Sequence, residues 1–353
     1  MRHAGDITAL SGYDLEPVDV ITFGSPCQDF SIAGGRKGVT GKHSSLITHA
    51  FRIIEEMREE THGQQPRFAV WENSPGAFSS NKGKDFQTIL QALAKIADKY
   101  ALIPGPPISG SPKRPRWRNA GAIMGDRWSI AWRVLDAQFW GVPQRRRRIA
   151  LVTDFRARSA PKILFERKGL PGGPTEIGEA REGDVGGVAN NINGTECLTF
   201  ALHPKVTGTL CASGAGTARP AGQGNEADFC IVSGNSSPAR RLTPLECERL
   251  QGFPDGWTDI LSYMRNGKIK KVSDSERYRA LGNSIALPPW GWVLGNIVDR
   301  LSPSATLGSL FDGIGGFPLI WEHINGNGSA IWASEIDPFC IAVTEYHFNG
   351  GGA

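Results

Sequence analysis

The chain has 353 residues, 40% hydrophobic and 21% charged, and 39 Lys and Arg against 35 Asp and Glu give a formal net charge of +4. This is the composition of a globular protein with room for one large domain and a satellite, and the net charge alone demands no nucleic-acid partner. None of the six cysteines forms a C-x-x-C pair, which argues against a zinc site. The opening "MRHAGDITAL" lacks a signal-peptide pattern, and no apolar run approaches the ~18–20 residues of a membrane span. A cytoplasmic chain with reduced thiols is expected, away from membranes.

In chain order, "VDVITFG" (18–24) reads as a buried strand ended by Gly24-Ser25-Pro26. A helical period follows over 44–60, a short strand over 67–73, and an amphipathic helix over 85–100 opened by Asp85. Residues 129–142 read as a helix up to Gly141, and 148–155 as a strand. This alternation predicts an α/β layered sheet. From about 158 to 240 the chain is rich in Gly, Ser, Asn, Thr and Pro, with short apolar pieces such as "CLTFAL" and "DFCIVSG". That texture predicts a small, loop-rich, partly β unit. A helix-start signal at Thr243-Pro244 with Glu246 and a helix over 287–301 restore regular structure.

Positive charge gathers in "PKRPRWR" (112–118), "RRRR" (145–148) and "RNGKIKK" (265–271). Each patch alone reads as a solvated loop; three together lean towards a phosphate backbone. "LGSLFDGIGGFPLIWE" (307–322) is a strand, a glycine turn and a helix, the opening of a nucleotide-binding α/β fold, yet it lies near the end of the chain. Cys27 in "FGSPCQDFS" and Glu72 in "WENSPG" each stand just beyond a strand and are expected on one rim of the sheet. A thiol nucleophile beside a carboxylic acid is a working pair. The plainer alternatives are an inert buried thiol and a carboxylate that caps the next turn.

"GSPCQDFS", "ENS", "QRRRR", "RRLTPLECERLQGFPDGWT", "ALGNSIALP" and "LFDGIGGF" together resemble the blocks of DNA cytosine-5 methyltransferases. Ser74 departs from the Val usual after Glu-Asn in that family. The resemblance implies a Rossmann-like S-adenosylmethionine-dependent methyltransferase sheet of class α/β. It divides the chain into a first catalytic part (1–157), a target-recognition domain (158–240) and a second catalytic part (241–353) holding the cofactor turn (307–337). The blocks stand in circularly permuted order relative to the family.

The same resemblance implies catalytic roles for Cys27 and Glu72, steadied by Arg146 and Arg148. It implies cofactor contacts from Phe311, Gly313, Gly315, Gly316, Glu335, Ile336, Asp6, Ile7, Pro26 and Asn283, and no metal. The substrate is expected to be double-stranded DNA, methylated at carbon 5 of a flipped cytosine through a covalent Cys27 adduct. The enzyme is read as monomeric and bacterial or phage-encoded, with a cognate restriction endonuclease as a possible partner. A tRNA cytosine methyltransferase and a catalytically inactive DNA-binding relative are the alternatives.

Overall fold

Val20, Ile21, Thr22 and Phe23 are all wholly buried, and their side chains divide between two cores: Val20 joins one, Ile21 and Phe23 the other. A strand does this only when both faces are covered, the condition of a parallel sheet between helical layers. The computed structural model describes residues 1–24, 46–109, 114–166, 197–198, 210, 230–233 and 240–350. The elements begin with β1 (Arg2–His3), β2 (Val20–Phe23), α1 (Ile47–Glu60), β3 (Phe68–Asn73), α2 (Lys84–Ala97), β4 (Ile108–Ser109) and β5 (Arg114–Pro115). Then come β6 (Ala120–Met124), β7 (Ser129–Asp136), β8 (Arg147–Asp154), α3 (Ala160–Phe165), β9 (Cys197–Leu198), β10 (Cys230–Ser233) and β11 (Arg240–Arg241). The chain continues through α4 (Pro244–Gln251), β12 (Ser262–Arg265), β13 (Lys268–Lys271), α5 (Asp274–Asn283) and α6 (Leu287–Val298). It finishes with β14 (Leu307–Leu310), α7 (Gly316–Asn325), β15 (Ala330–Ser334) and α8 (Pro338–Phe348).

Eight strands form one sheet in the order β1-β15-β14-β2-β3-β8-β7-β6. The first five are mutually parallel; β8, β7 and β6 join by antiparallel pairings. Helices α1 and α2 cover one face over Ile21, Trp71, Trp132 and Leu151. Helices α3, α6, α7 and α8 cover the other over Val20, Val70, Val152 and Leu307. Sequence pattern and structure agree on the α/β class and on most strands. The expected helix over 129–141 is instead β7, antiparallel to β8 with Asp136 opposite Arg147, followed by one tight turn at Ala137–Phe139. Its apolar run is buried on both sides of the sheet, and periodicity cannot separate such a strand from a buried helix.

Some elements had not been read from the sequence. Within 158–240 the structure shows α3 packed on the sheet, where Asn296 donates to the Ile163 carbonyl at 2.9 Å. The strands there were legible: "CLTFAL" and "DFCIVSG" supply β9 and β10, which with β11 form a small antiparallel sheet, as the partly β texture predicts. The rest of that stretch lies outside the described residues. The β12–β13 hairpin and α5 are further additions, each with a legible signal: Asn266-Gly267 between extended residues, and Ser273 with Glu276 as a capping box.

Gly308, inside the central strand β14, is there because Trp332 of β15 lies across it. A methyl group added at Gly308 would stand 2.2 Å from Trp332 Cζ2. The indole has no room to retreat, being wholly buried with its Nε1 donating to the Glu16 carbonyl at 2.8 Å. Gly308→Ala should therefore lower unfolding free energy by about 3 kcal/mol in urea denaturation. Gly295→Ala, in α6 with open space around it, should raise it by up to about 1 kcal/mol. Equal effects at the two positions would contradict this packing.

Candidate active site

The five parallel strands all end on one rim of the sheet, and the segments that leave them there carry the residues singled out from the sequence. β14 runs into the glycine turn, β15 into Glu335, β1 towards Asp6, β2 into Gly24 and the segment that bears Cys27, and β3 ends at Glu72-Asn73. Open α/β sheets bind ligands at this carboxyl edge.

On the β2–β3 side, Glu72 is salt-bridged to Arg148, Nε to Oε1 at 2.9 Å across the β3–β8 ladder. Burial pushes the Glu72 carboxyl upward, and the attraction of Arg148 and Arg146 offsets this only in part, so the net shift is up. The next turn, Pro75–Phe78, has no side-chain cap among the described residues; Asn73 Oδ1 accepts from Ser74 N at 2.8 Å just before it. Cys27 and Pro26 lie outside the described residues. Their strand, however, delivers the chain to the acid: a methyl placed on Gly24 would be 3.3 Å from Glu72 Oε2. Cys27 is three residues further along the sequence.

The alternation expected of the arginine run is present, with Arg145 and Arg147 exposed, Arg146 buried and Arg148 partly buried. The two inward arginines both act on the charge of Glu72, but their hydrogen bonds differ. Arg148 holds Glu72. The Arg146 guanidinium donates to the carbonyls of Leu210 at 2.9 Å, Gly282 at 3.0 Å and Ser284. It ties the "QRRRR" and "GNS" blocks together and reaches Glu72 through charge.

On the β14–β15 side the glycines divide their work. A methyl on Gly315 would meet Thr344 Cγ2 at 2.8 Å and Phe348 at 2.9 Å, and one on Gly316 would meet Ile285 Cγ1 at 2.9 Å. Both are glycine because the protein itself packs there. Gly313, at φ +60°, has nothing within 4 Å of such a methyl, so this is where a ligand can approach the backbone. Phe311 precedes it in a left-handed conformation, φ +56°, half-buried.

Glu335 accepts from the backbone N–H groups of Gly313 (2.8 Å), Ile336 (2.7 Å) and Asp337 (2.9 Å). A carboxylate has about four lone-pair sites, so one remains for a hydroxyl. Ile336 is 65% exposed and offers an apolar surface beside it. Asp6 is exposed, its Oδ1 accepting from Thr8 N at 2.9 Å. Ile7, expected as a ligand contact, has its side chain in the core instead, because the loop must bury one apolar residue to lie on the sheet. Asn283 is exposed at the end of α5, two residues from Ile285. Among the described residues no cluster of metal-ligating side chains occurs.

Sequence reading missed Asp312. It is 7% exposed; Ser309 Oγ donates to its Oδ1 at 2.6 Å, and its buried Oδ2 has no partner among the described residues. Burial, and then the neighbouring charge of Glu335, raises its pKa from 3.8 to about 7 despite the Ser309 hydrogen bond. The folded chain thus holds this proton where the unfolded chain has lost it. The associated stability is full below the unfolded pKa and is lost as pH rises through the folded value. Asp312→Asn should remove that loss. Between about pH 5 and pH 8 the variant's unfolding free energy should gain about 2 kcal/mol relative to the parent in urea titrations. Parallel pH profiles would contradict the assignment.

A family profile described as C-5 cytosine-specific DNA methylase matches residues 2–104 and 198–298. Among curated relatives, the DNA N-6-adenine-methyltransferase of Escherichia phage P1 is 28% identical over 83% of this chain and 54% of its own length. The Type II methyltransferase M2.BsuMI of Bacillus subtilis is 25% identical over 80% of this chain and 61% of its own. The DNA (cytosine-5-)-methyltransferase M.ApeKI of Aeropyrum pernix is 33% identical over 42% of this chain and 28% of its own. The chain therefore spans little more than half the length of the first two. With the profile matching over half of its residues, the chain belongs to the C-5 cytosine-specific DNA methylase family.

Proposed function

We propose that the chain methylates carbon 5 of cytosine in double-stranded DNA, using Cys27 as nucleophile and Glu72 as acid. The observation that carries this reading is the meeting of the β2 exit with a buried, Arg148-paired carboxyl at the carboxyl rim. The methyl donor is S-adenosyl-L-methionine, which follows from family membership and supplies an electrophilic methyl group on a sulfonium.

Cytosine carbon 5 is not nucleophilic enough to react unaided. The Cys27 thiolate adds to carbon 6, forming a C–S bond as the carbon 5–carbon 6 double bond opens; the displaced electron density moves to ring nitrogen 3, which takes the proton held there by Glu72. The upward shift of Glu72, caused by burial and only partly offset by Arg148 and Arg146, favours the protonated form that this role requires. Carbon 5, now enamine-like, would take the methyl group while its former bonding pair stays on the donor's sulfur as a neutral thioether; a water would then accept the carbon-5 proton, Cys27 would leave as thiolate and nitrogen 3 would return its proton to Glu72, restoring the ring. Since these atoms are stacked inside a duplex, the base must be flipped out. Gly313, Phe311, Glu335 and Ile336 would hold the donor, with Asp6, Asn283 and Pro26 beside them. Residues 158–240 would choose the DNA sequence. The adenine in the phage relative's name is said of a protein nearly twice as long as its aligned part, and a thiol adduct at carbon 6 is pyrimidine chemistry.

The block order is best understood as a rotation. β14 with its glycine turn lies at the centre of the sheet, flanked by late β15 and early β2, and β1 pairs beyond β15. Read from β14, the chain lays down the nucleotide-binding strands first and the Cys27 and Glu72 strands after them. A restriction endonuclease of the same specificity would be a natural partner.

On this reading, calorimetry should detect S-adenosylmethionine binding to the 353-residue chain, and Cys27→Ser should bind it nearly as well while losing all methyl transfer. Duplex carrying 5-fluorocytosine should form a cofactor-dependent covalent protein–DNA band, because fluorine cannot leave carbon 5 as a proton does. That band should vanish in Cys27→Ser. A band persisting in the variant would give the nucleophile's role to another residue, and a folded chain that binds no cofactor would contradict the rotated order.

A further inference from the structure

Of the three basic patches in the sequence, "RNGKIKK" has no part in the site just described. The structure makes it a prong. β12 and β13 pair in register, Arg265 opposite Lys268 and Met264 opposite Ile269, around Asn266 (φ 51°) and Gly267 (φ 72°). Two positive φ values in a two-residue loop match the twist of a hairpin and stiffen its tip.

One side anchors it. Tyr263 is buried edge-on against Phe339, ring centroids 5.6 Å apart, in the first turn of α8 and four residues beyond Glu335. The root of the prong therefore stands beside the carboxyl rim. Lys270 is neutralised by Glu276 at 2.6 Å, and Tyr263 donates to the same carboxylate.

The rest faces solvent. Arg265, Lys268 and Lys271 are exposed, and among the described residues none has an acidic partner. The nearby acids are engaged elsewhere, Asp259 and Asp274 with Arg277 and Glu276 with Lys270. Met264 and Ile269, 57% and 78% exposed, pair on the ribbon face that also carries Lys271, while Arg265 and Lys268 pair on the other. Like charges directly opposite each other weaken a two-stranded ribbon, and so short a ribbon is marginal to begin with. A partner bearing closely spaced negative charge would turn that repulsion into attraction.

We propose that the 262–271 hairpin is a second DNA contact, gripping the phosphates of the duplex outside the flipped base through Arg265, Lys268 and Lys271. Duplex DNA presents about one charge per 1.7 Å of axis, dense enough to engage all three. With cations on both of its faces the ribbon suits a groove between two phosphate rows, and the Met264–Ile269 pair suits the sugar surface beside Lys271. The proposal rests on the reading that duplex DNA is the substrate.

Its test is fluorescence anisotropy of a labelled duplex with the full chain, from about 50 to 200 mM NaCl. The variant R265E/K268E/K271E should lower the slope of log K against log salt by about 2–3 and weaken binding about 10-fold or more at intermediate salt. Calorimetric affinity for S-adenosylmethionine should stay unchanged, which checks the fold. Single Lys268→Gln and Lys271→Gln variants should each lower the slope by about 1, so a misfolded triple variant does not end the test. Variants that keep the parent's slope and affinity would overturn the hairpin contact. Variants weakened only towards RNA or an acidic polypeptide would overturn it too. A parent chain that binds no duplex DNA would instead contradict the proposed substrate.

Discussion

Everything at the rim depends on β14 being wedged between β15 and β2. Its four residues are wholly buried and paired on both sides, in register with Val20–Phe23 on one flank and with Ala330–Ser334 on the other across a one-residue register shift between Leu307 and Gly308. Asp19 locks the seam at the opposite edge. Its carboxylate accepts from Thr306 N at 2.9 Å, and its carbonyl accepts from Arg67 N at 2.9 Å, so a single residue joins the roots of β14, β2 and β3. Parallel strands held at a common root also end together. This is why residues as far apart in the chain as Asp6, Gly24, Glu72, Gly313 and Glu335 share one edge.

Along that edge, acids in different settings are suited to different work. Glu335 is surrounded by three backbone N–H donors and serves as a fixed acceptor that shapes the glycine turn. Glu72 has a single guanidinium partner and a buried setting that favours the proton. Asp312, beneath the turn, is buried more completely than either, and an oxygen without a partner among the described residues makes its charge costly. The first is held by donors, the second is balanced between burial and a guanidinium, and the third is kept out of solvent's reach.

The parts of this arrangement legible in the sequence were those whose chemistry is local. Val20–Phe23 and Phe68–Asn73 announce buried strands by composition, and Thr243 with Glu246 announces a helix start that the structure shows as a capping box. β7 was misread because burial on both faces erases the two-residue alternation that marks a strand. The division of labour among Gly313, Gly315 and Gly316 could not be read, since it depends on Thr344, Phe348 and Ile285 arriving from other elements. The different hydrogen bonds of Arg146 and Arg148 depend likewise on where the "GNS" carbonyls fall. The environment of Asp312 required knowing that β15 and α8 close over the turn.

The account's central claim is that this rim carries out carbon-5 methylation of cytosine in DNA, and the modified base itself tests it most directly. The purified chain would be incubated with S-adenosylmethionine and either unmethylated duplex DNA or tRNA, and the products digested to nucleosides for mass spectrometry. The account predicts 5-methyl-2′-deoxycytidine from the duplex and no methylated nucleoside from the tRNA. N6-methyl-2′-deoxyadenosine, or 5-methylcytidine from the tRNA alone, would contradict it.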